Sequence, residues 1–365
     1  MKLFRKRGAA PGDATLSKPM RFEDLDAAMR DVAAGIEPWD ESRAVLVRPL
    51  QQAVRNHGHV QLMEDSAGGK MMAVKRMPSR WVQSGPKEFE EHYPAASEKP
   101  WHDLGFLHRL QAIHFPYVCD LYGVFRSQDE TLVATSFCQE GDLSAWCDSD
   151  GVPAPGPARE AHMMPLVAQI FSAVRWLHNL GIAHRDISLE NILLAGPSEG
   201  ARVKIIDFGL ATLTRTFSSE LSVKASYRPP EMHLGVEVDA FLVDVFAAGV
   251  VTFAMAAQDY PWLCTKPGNC QLFDCVRESG LQAFLNKRRL RRGNGEHLSE
   301  VFSPALVEVL QALLDFQPER RGCVGELAFQ DDVQGGLRSS VWDLAYLSGA
   351  AAGLPDAEGR LGASL

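Results

Sequence analysis

Four short runs of the sequence carry side chains suited to a single chemistry. "AVK" ends an apolar stretch at Lys75, "HRDISLEN" contains Asp186 and Asn191, "IIDFGLA" places Asp207 after an apolar run, and "YRPPE" closes on Glu231. Moving a terminal phosphoryl group needs positive charge at its oxygens and a base at the attacking hydroxyl. Lys75 supplies a fixed cation. Asp207 and Asn191 offer the oxygen ligands that a hard ion such as Mg²⁺ prefers. Asp186 is placed to take the hydroxyl proton, and Gly209 reads as the residue that lets the chain turn sharply after the ligand. Any one of these runs is commonplace: a strand ending in lysine is usually a snorkelling side chain, and Asp-Phe-Gly is often a plain turn. Their order along one chain carries the reading.

Those residues need elements to hold them. "AVLVRPL", "HVQLME" and "KMMAVKRM" read as strands, with "DSAGG" turning between the last two. Residues 78–100 read as a polar stretch rich in Pro, Glu and Ser. "WHDLGFLHRLQAI" follows with Leu104, Leu107 and Leu110 at helical spacing. "VCDLYGVFRSQ" and "TLVATSFC" read as two further strands. After Gly141 the pattern turns helical: a Pro/Gly loop precedes "MMPLVAQIFSAVRWLHNLG", capped by Gly181. "DVFAAGVVTFAMAA" and "PALVEVLQALLDF" are further apolar helices. No internal repeat is visible.

Composition bounds the rest. The chain has 365 residues, 46% hydrophobic and 23% charged, which is ample for a core. Its net charge of −9 argues against nucleic acid or an anionic membrane as a bulk partner. The basic start, with Lys2, Arg5, Lys6 and Arg7, reads as a solvated tail. Neither a signal-peptide core nor an apolar run long enough to span a membrane is expected. Seven cysteines lie outside CxxC pairs, and Cys264, Cys270 and Cys275 lack a fourth zinc ligand. Reduced thiols and a cytoplasmic or nuclear location are the expectation.

In the four runs, from about Val45 to Val333, the sequence resembles the eukaryotic protein kinase family. The resemblance implies an α+β, bilobal fold: a small lobe with an antiparallel sheet and one main helix, and a larger, mostly helical lobe, with nucleotide bound between them. The expected divisions are 1–42, a partly flexible extension with one amphipathic helix in "FEDLDAAMRDVAAGI"; 43–138, the small lobe; 139–335, the large lobe; and 336–365, a partly disordered tail. The implied cofactors are ATP and Mg²⁺, with Asn191 and Asp207 as metal ligands and Asp186 and Lys75 as catalytic residues. By position, Val60 and Ala73 resemble the residues above adenine and Leu193 the one below. Thr135 resembles the gatekeeper, Ser136, Phe137 and Cys138 the hinge, and Asp142 a ribose contact. Glu231 resembles the acid that pairs with an arginine, for which Arg321 fits best. Asp244 resembles the helix acid that buttresses the catalytic loop.

The sequence departs from the family pattern in places. The glycine-rich loop falls on "AVRNHG", Ala53 to Gly58, where only Gly58 remains and Arg55 introduces a cation. The helix acid that holds the lysine falls on Asp103 if "QAI" is an insertion, and on Phe106 by an ungapped count. Position 188, two residues after Asp186, is serine where most Ser/Thr kinases carry the lysine that contacts the γ-phosphate. Lys224 stands where those kinases often carry threonine. Arg185 implies an activation loop read through phosphate, and the loop offers Thr214, Thr216, Ser218, Ser219 and Ser222, with Glu220 as an acidic mimic.

The reading is an ATP-dependent kinase acting on Ser/Thr hydroxyls of protein substrates, regulated by an upstream kinase or by autophosphorylation. Its rivals are a pseudokinase scaffold that keeps nucleotide binding and, less consistent with "YRPPE", a kinase-fold enzyme acting on a small molecule.

Overall fold

The computed structural model describes residues 18–53, 58–197, 200–218, 223–292, 295–330 and 338–347. The chain divides into two compact units. One takes in Met20–Gln139 and Lys204–Leu210; the other takes in Glu140–Val203 and, from Ala211, the rest of the described chain.

The first unit is built on a sheet. Its strands are β1 (Glu37–Pro38), β2 (Ala44–Ala53), β3 (Gly58–Asp65), β4 (Met71–Pro78), β5 (Leu121–Arg126) and β6 (Glu130–Ser136), in the order β1-β5-β6-β4-β3-β2. Neighbours run antiparallel except β1 and β5, which pair in parallel. Successive strand residues face opposite sides, and this sorts β4. Met72 and Val74 are fully buried in a core with Trp39, Met63, Phe125 and Leu132, while Ala73 and Lys75 point to the other face.

Four helices belong to this unit: α1 (Phe22–Ala34), α2 (Ser79–Val82), α3 (Pro86–His92) and α4 (Pro100–Ala112). Helices α2 and α3 lie in the polar stretch over 78–100, for which no element was expected. The stretch carries Trp81, Phe89 and Tyr93, whose rings lie 4.8–5.4 Å apart. Val82 and Phe89 are buried, and the Trp101 indole donates to Val82 O at 2.7 Å. The one helix expected in the 1–42 extension is α1, in which Leu25, Ala28, Met29 and Val32 are buried; β1, on the sheet edge, had no counterpart in that expectation. Gly105 permits the approach of α1 to α4, since a Cβ there would meet Met29 Cγ at 2.7 Å and Leu25 Cδ1 at 3.0 Å.

The second unit is mostly helical. It holds α5 (Leu143–Asp148), α6 (Pro157–Asn179), strand β7 (Ile192–Ala195), and β8 (Arg202–Ile205), along which the chain passes into the first unit. After the chain returns come β9 (Thr216–Ser218), β10 (Glu237–Asp239), α7 (Ala240–Ala257), α8 (Gln271–Lys287, broken at Gly280), α9 (Leu298–Val301) and α10 (Pro304–Leu313). Helix α6 starts on Pro157 and stops before Gly181, whose φ of +78° is the left-handed conformation that ends helices. The expectation that no run is long enough to cross a membrane needs correcting on length. Helix α7 has 18 residues with mean hydropathy 2.1, but all of them are buried, packed by α6 and α10. Its apolarity is that of a core helix.

Candidate active site

On the first unit, the candidate residues share one face of the sheet. Val60 lies opposite Lys75, and Ala73 opposite Thr135. Residues directly opposite one another, and those two apart on a strand, point the same way. Val60, Ala73, Lys75 and Thr135 therefore form a patch, and all four are partly buried. Ser136 ends β6; its N–H donates to Asp120 O at 2.9 Å and its hydroxyl accepts from Asp120 N at 3.0 Å. Cys138 is buried, with its sulfur 3.7 Å from that of Cys119. All seven cysteines are free thiols.

Lys75 sits among carboxylates. Its Nζ is 3.2 Å from Asp103 Oδ2 and 3.9 Å from Asp207 Oδ1. Burial alone would depress the ammonium; Asp103, Asp207 and Glu98 together outweigh it and hold Lys75 above the usual lysine range. The other oxygen of Asp103 accepts from Phe208 N at 2.9 Å. One carboxylate thus ties the lysine to the segment carrying Asp207. Of the two registers weighed for α4, this is the one with Asp103 at the lysine. Phe106 is fully buried, its ring 6.2 Å from that of Phe208.

The local backbone corrects one expectation. The sharp turn falls on Asp207 itself, with φ of +66°, and not on Gly209. Glycine is needed at 209 for a different reason: a Cβ would come within 2.9 Å of Glu98 Cγ. Gly58 opens β3 and is buried. The rest of the "AVRNHG" run after Ala53, Arg55 included, lies outside the described residues.

On the second unit, Asp186 and Asn191 are coupled directly. The Asn191 amide nitrogen donates to both the carbonyl and Oδ2 of Asp186, each at 2.9 Å. With its nitrogen committed to two acceptors, the amide presents its oxygen as the group it can offer a cation. Asp186 and Asn191 are 4% and 8% exposed, so few conformations are open to either. Asp244, buried on α7, accepts from Arg185 N and His184 N at 2.7 Å each and so pins the loop. Arg185 has φ of +62°, a conformation that costs energy without such anchors. Its guanidinium lies 5.1 Å from the Phe217 ring; burial lowers its pKa to about 10, and it stays charged at neutral pH.

Asp142 caps α5 through Oδ1 to Ala145 N at 2.8 Å and bridges Leu193 in an antiparallel pair. Arg321 grips Glu231 with two N–H···O bonds of 2.6 and 2.9 Å. Thr214, Thr216 and Ser218 are exposed, whereas Ser219, Glu220 and Ser222 lie outside the described residues.

Among the described residues no group of three or more His, Cys, Asp or Glu side chains forms a metal cage. Magnesium does not need one, because it is commonly held by one or two protein oxygens together with phosphates and water. Taken each on its own unit, the Asp207 carboxylate and the Asn191 amide oxygen are donors of that kind.

Three contributors were not legible in the sequence. Glu98 adds to the charge around Lys75 from within the stretch read only as polar. His178 lies buried between Asp244 Oδ2, at 3.1 Å, and Glu326 Oε1, at 2.8 Å. Lys224 donates to Ser188 Oγ at 2.6 Å and to Glu190 Oε2 at 2.9 Å. The position of Lys224 was noticeable in the sequence, but its contact was not.

A family model described as "Protein kinase domain" matches residues 56–330. The chain is 25% identical over 213 residues to serine/threonine-protein kinase 17A of Oryctolagus cuniculus, covering 58% of this chain and 49% of that protein. It is 26% identical over 255 residues to NUAK family SNF1-like kinase 1 of Mus musculus, covering 69% and 34%. It is 30% identical over 169 residues to serine/threonine-protein kinase cds1 of Schizosaccharomyces pombe, covering 44% and 35%. The chain spans half or less of the length of each of these relatives.

Proposed function

Because this chain belongs to the protein kinase family, we propose that it transfers the γ-phosphoryl group of ATP to serine or threonine hydroxyls of protein substrates. The observation that carries the reading is Lys75, held between Asp103 and Asp207. A lysine serving only as a solvated strand end would not gather three acids around it. That two of the relatives are serine/threonine-protein kinases by name supports the choice of hydroxyl.

In this reading Lys75 holds the nucleotide phosphates, and Val60, Ala73, Thr135, the 136–138 backbone and Leu193 contact the base. Asp142 contacts the ribose. Asp207 and Asn191 each offer an oxygen to magnesium, which when bound supplies positive charge at the phosphoryl oxygens. Asp186 accepts the proton of the substrate hydroxyl as that oxygen bonds to the γ-phosphorus. The bond from phosphorus to the β–γ bridging oxygen breaks, and ADP leaves with the electron pair. Regulation runs through the segment bearing Thr214, Thr216 and Ser218, modified by an upstream kinase or by the chain itself.

The test is transfer from γ-labelled ATP, with Mg²⁺ or Mn²⁺, to the chain itself and to a generic basic protein. Lys75→Met and Asp207→Ala should each abolish transfer and leave the unfolding midpoint within about 4 °C of wild type, since both side chains are partly exposed. A wild type no more active than Asp207→Ala, yet still binding nucleotide, would favour the scaffold reading instead.

A further inference from the structure

Positions 188 and 224 have exchanged the residue types that the family resemblance leads one to expect. Serine stands where a lysine should contact the γ-phosphate, and lysine stands where threonine is common. The two side chains meet, with Lys224 Nζ 2.6 Å from Ser188 Oγ. The loop therefore has both an ammonium and a hydroxyl, each borne by the other's host.

The local geometry supports more than a surface ion pair. Ser188 is fully buried, in extended backbone, and its carbonyl accepts from Asn191 N at 3.1 Å. Its hydroxyl is thus fixed two residues from the proposed base and three from a proposed metal ligand. Lys224 reaches it from a segment 36 residues away. Glu190 Oε2 accepts a second N–H at 2.9 Å. An ammonium has three donors, and these contacts use two. The side chain keeps 30% of its surface exposed.

We propose that Lys224 is the catalytic-loop cation of this kinase, taking through its third N–H the γ-phosphoryl contact that Ser188 cannot make. This rests on the kinase reading above. Lys224 forms no covalent bond. It stabilises the charge on the phosphoryl oxygens while the hydroxyl oxygen bonds to phosphorus, ADP departs and Asp186 takes the proton.

A purely structural role predicts something different. An ion pair this exposed contributes little to stability, so its loss should leave turnover intact. The experiment compares wild type, Lys224→Met, Lys224→Arg, Ser188→Lys and the double exchange Ser188→Lys with Lys224→Thr, measuring turnover and unfolding midpoint for each. Lys224→Met should lose on the order of 10–10³-fold in kcat with KM for ATP changed less than about threefold. Lys224→Arg should retain more turnover than Lys224→Met. Ser188→Lys alone should lose activity by crowding two ammonium groups, and the double exchange should return to within about tenfold of wild type, a strongly non-additive cycle.

A second readout does not depend on turnover. Reductive methylation of Lys224, followed by peptide mass spectrometry, should be slowed by a non-hydrolysable ATP analogue with Mg²⁺ and not by ADP with Mg²⁺. Wild-type kcat in Lys224→Met, a well-folded double exchange no better than Lys224→Met, or equal protection by both nucleotides overturns the proposal. Wild-type transfer no higher than that of Asp207→Ala overturns the kinase reading itself, and this proposal with it.

Discussion

Asp103 holds Lys75 with one carboxylate oxygen, at 3.2 Å, and Phe208 N with the other, at 2.9 Å. An aspartate, one methylene shorter than glutamate, reaches the lysine from the first turn of α4. Asp103→Asn keeps an acceptor for Phe208 but turns an amide toward the ammonium. Its kcat should fall about 10–10²-fold, with Asp103→Glu less affected because it keeps the charge. Steady-state transfer assays on both variants decide this, and wild-type kcat in Asp103→Asn would sink it.

His178 should make stability pH-dependent on the alkaline side. Both of its neighbours are carboxylates that only accept, so both ring nitrogens must donate and the ring must be charged. Burial opposes that charge, but Asp244 and Glu326 prevail and raise its pKa to about 9. A raised pKa stabilises the fold fully below the unfolded value of about 6.5, and that contribution is lost as pH rises through about 9. Cys323, beside Glu326, is pushed up to about 12 by burial and stays neutral over this window. Urea unfolding from pH 6 to 10 should show a decline that His178→Gln flattens. A decline identical in wild type and variant would refute the assignment.

Removing one partner of the Arg321–Glu231 pair should cost far more than removing both. Arg321 is fully buried and Glu231 is 6% exposed. Glu231→Ala strands a buried guanidinium, at a cost of about 3–5 kcal/mol. A double variant with Glu231→Leu and Arg321→Met should be more stable than Glu231→Ala alone. Denaturant titrations of the three proteins give the comparison.

Gly105→Val should loosen α1 from α4. A Cβ at this position already collides with Met29 and Leu25, and overpacking of this kind costs about 1–3 kcal/mol. Hydrogen exchange should speed up over Phe22–Ala34 first. Unchanged protection there would show that the contact does not hold α1.

The sequence made the longer elements legible because their periodicity is strong. Strand-like runs marked β2 to β6, and long, largely apolar runs marked α6 and α7. It could not show β1, two residues long, or the short helices α2 and α3, whose order depends on stacking of Trp81, Phe89 and Tyr93. At the candidate site, the motif residues stood out by type and order, and Asp103 and Phe106 stood as alternatives until helix packing distinguished them. Lys224 at Ser188 was beyond reach, since a contact across 36 residues leaves no local pattern. The reason for Gly209 was also misjudged, because the close approach of Glu98 comes from outside the motif.

The two outermost strands of the sheet, β1 and β2, both precede residue 56, where the family match begins. A strand at an edge exposes backbone groups that can template another chain. Here the two margins differ: β1 covers only Phe125 and Arg126 of β5, while β2 is longer and exposes Val45, Leu46 and Val47. β1 is only two residues long and ends in Pro38, which has no N–H to offer, and β2 is interrupted by Pro49 and by register breaks on either side of it. A chain trimmed to the matched residues would lose both strands, making β3 an edge and freeing the last two residues of β5. The segment upstream of the matched residues therefore sets which backbone groups of the sheet lie at its two margins.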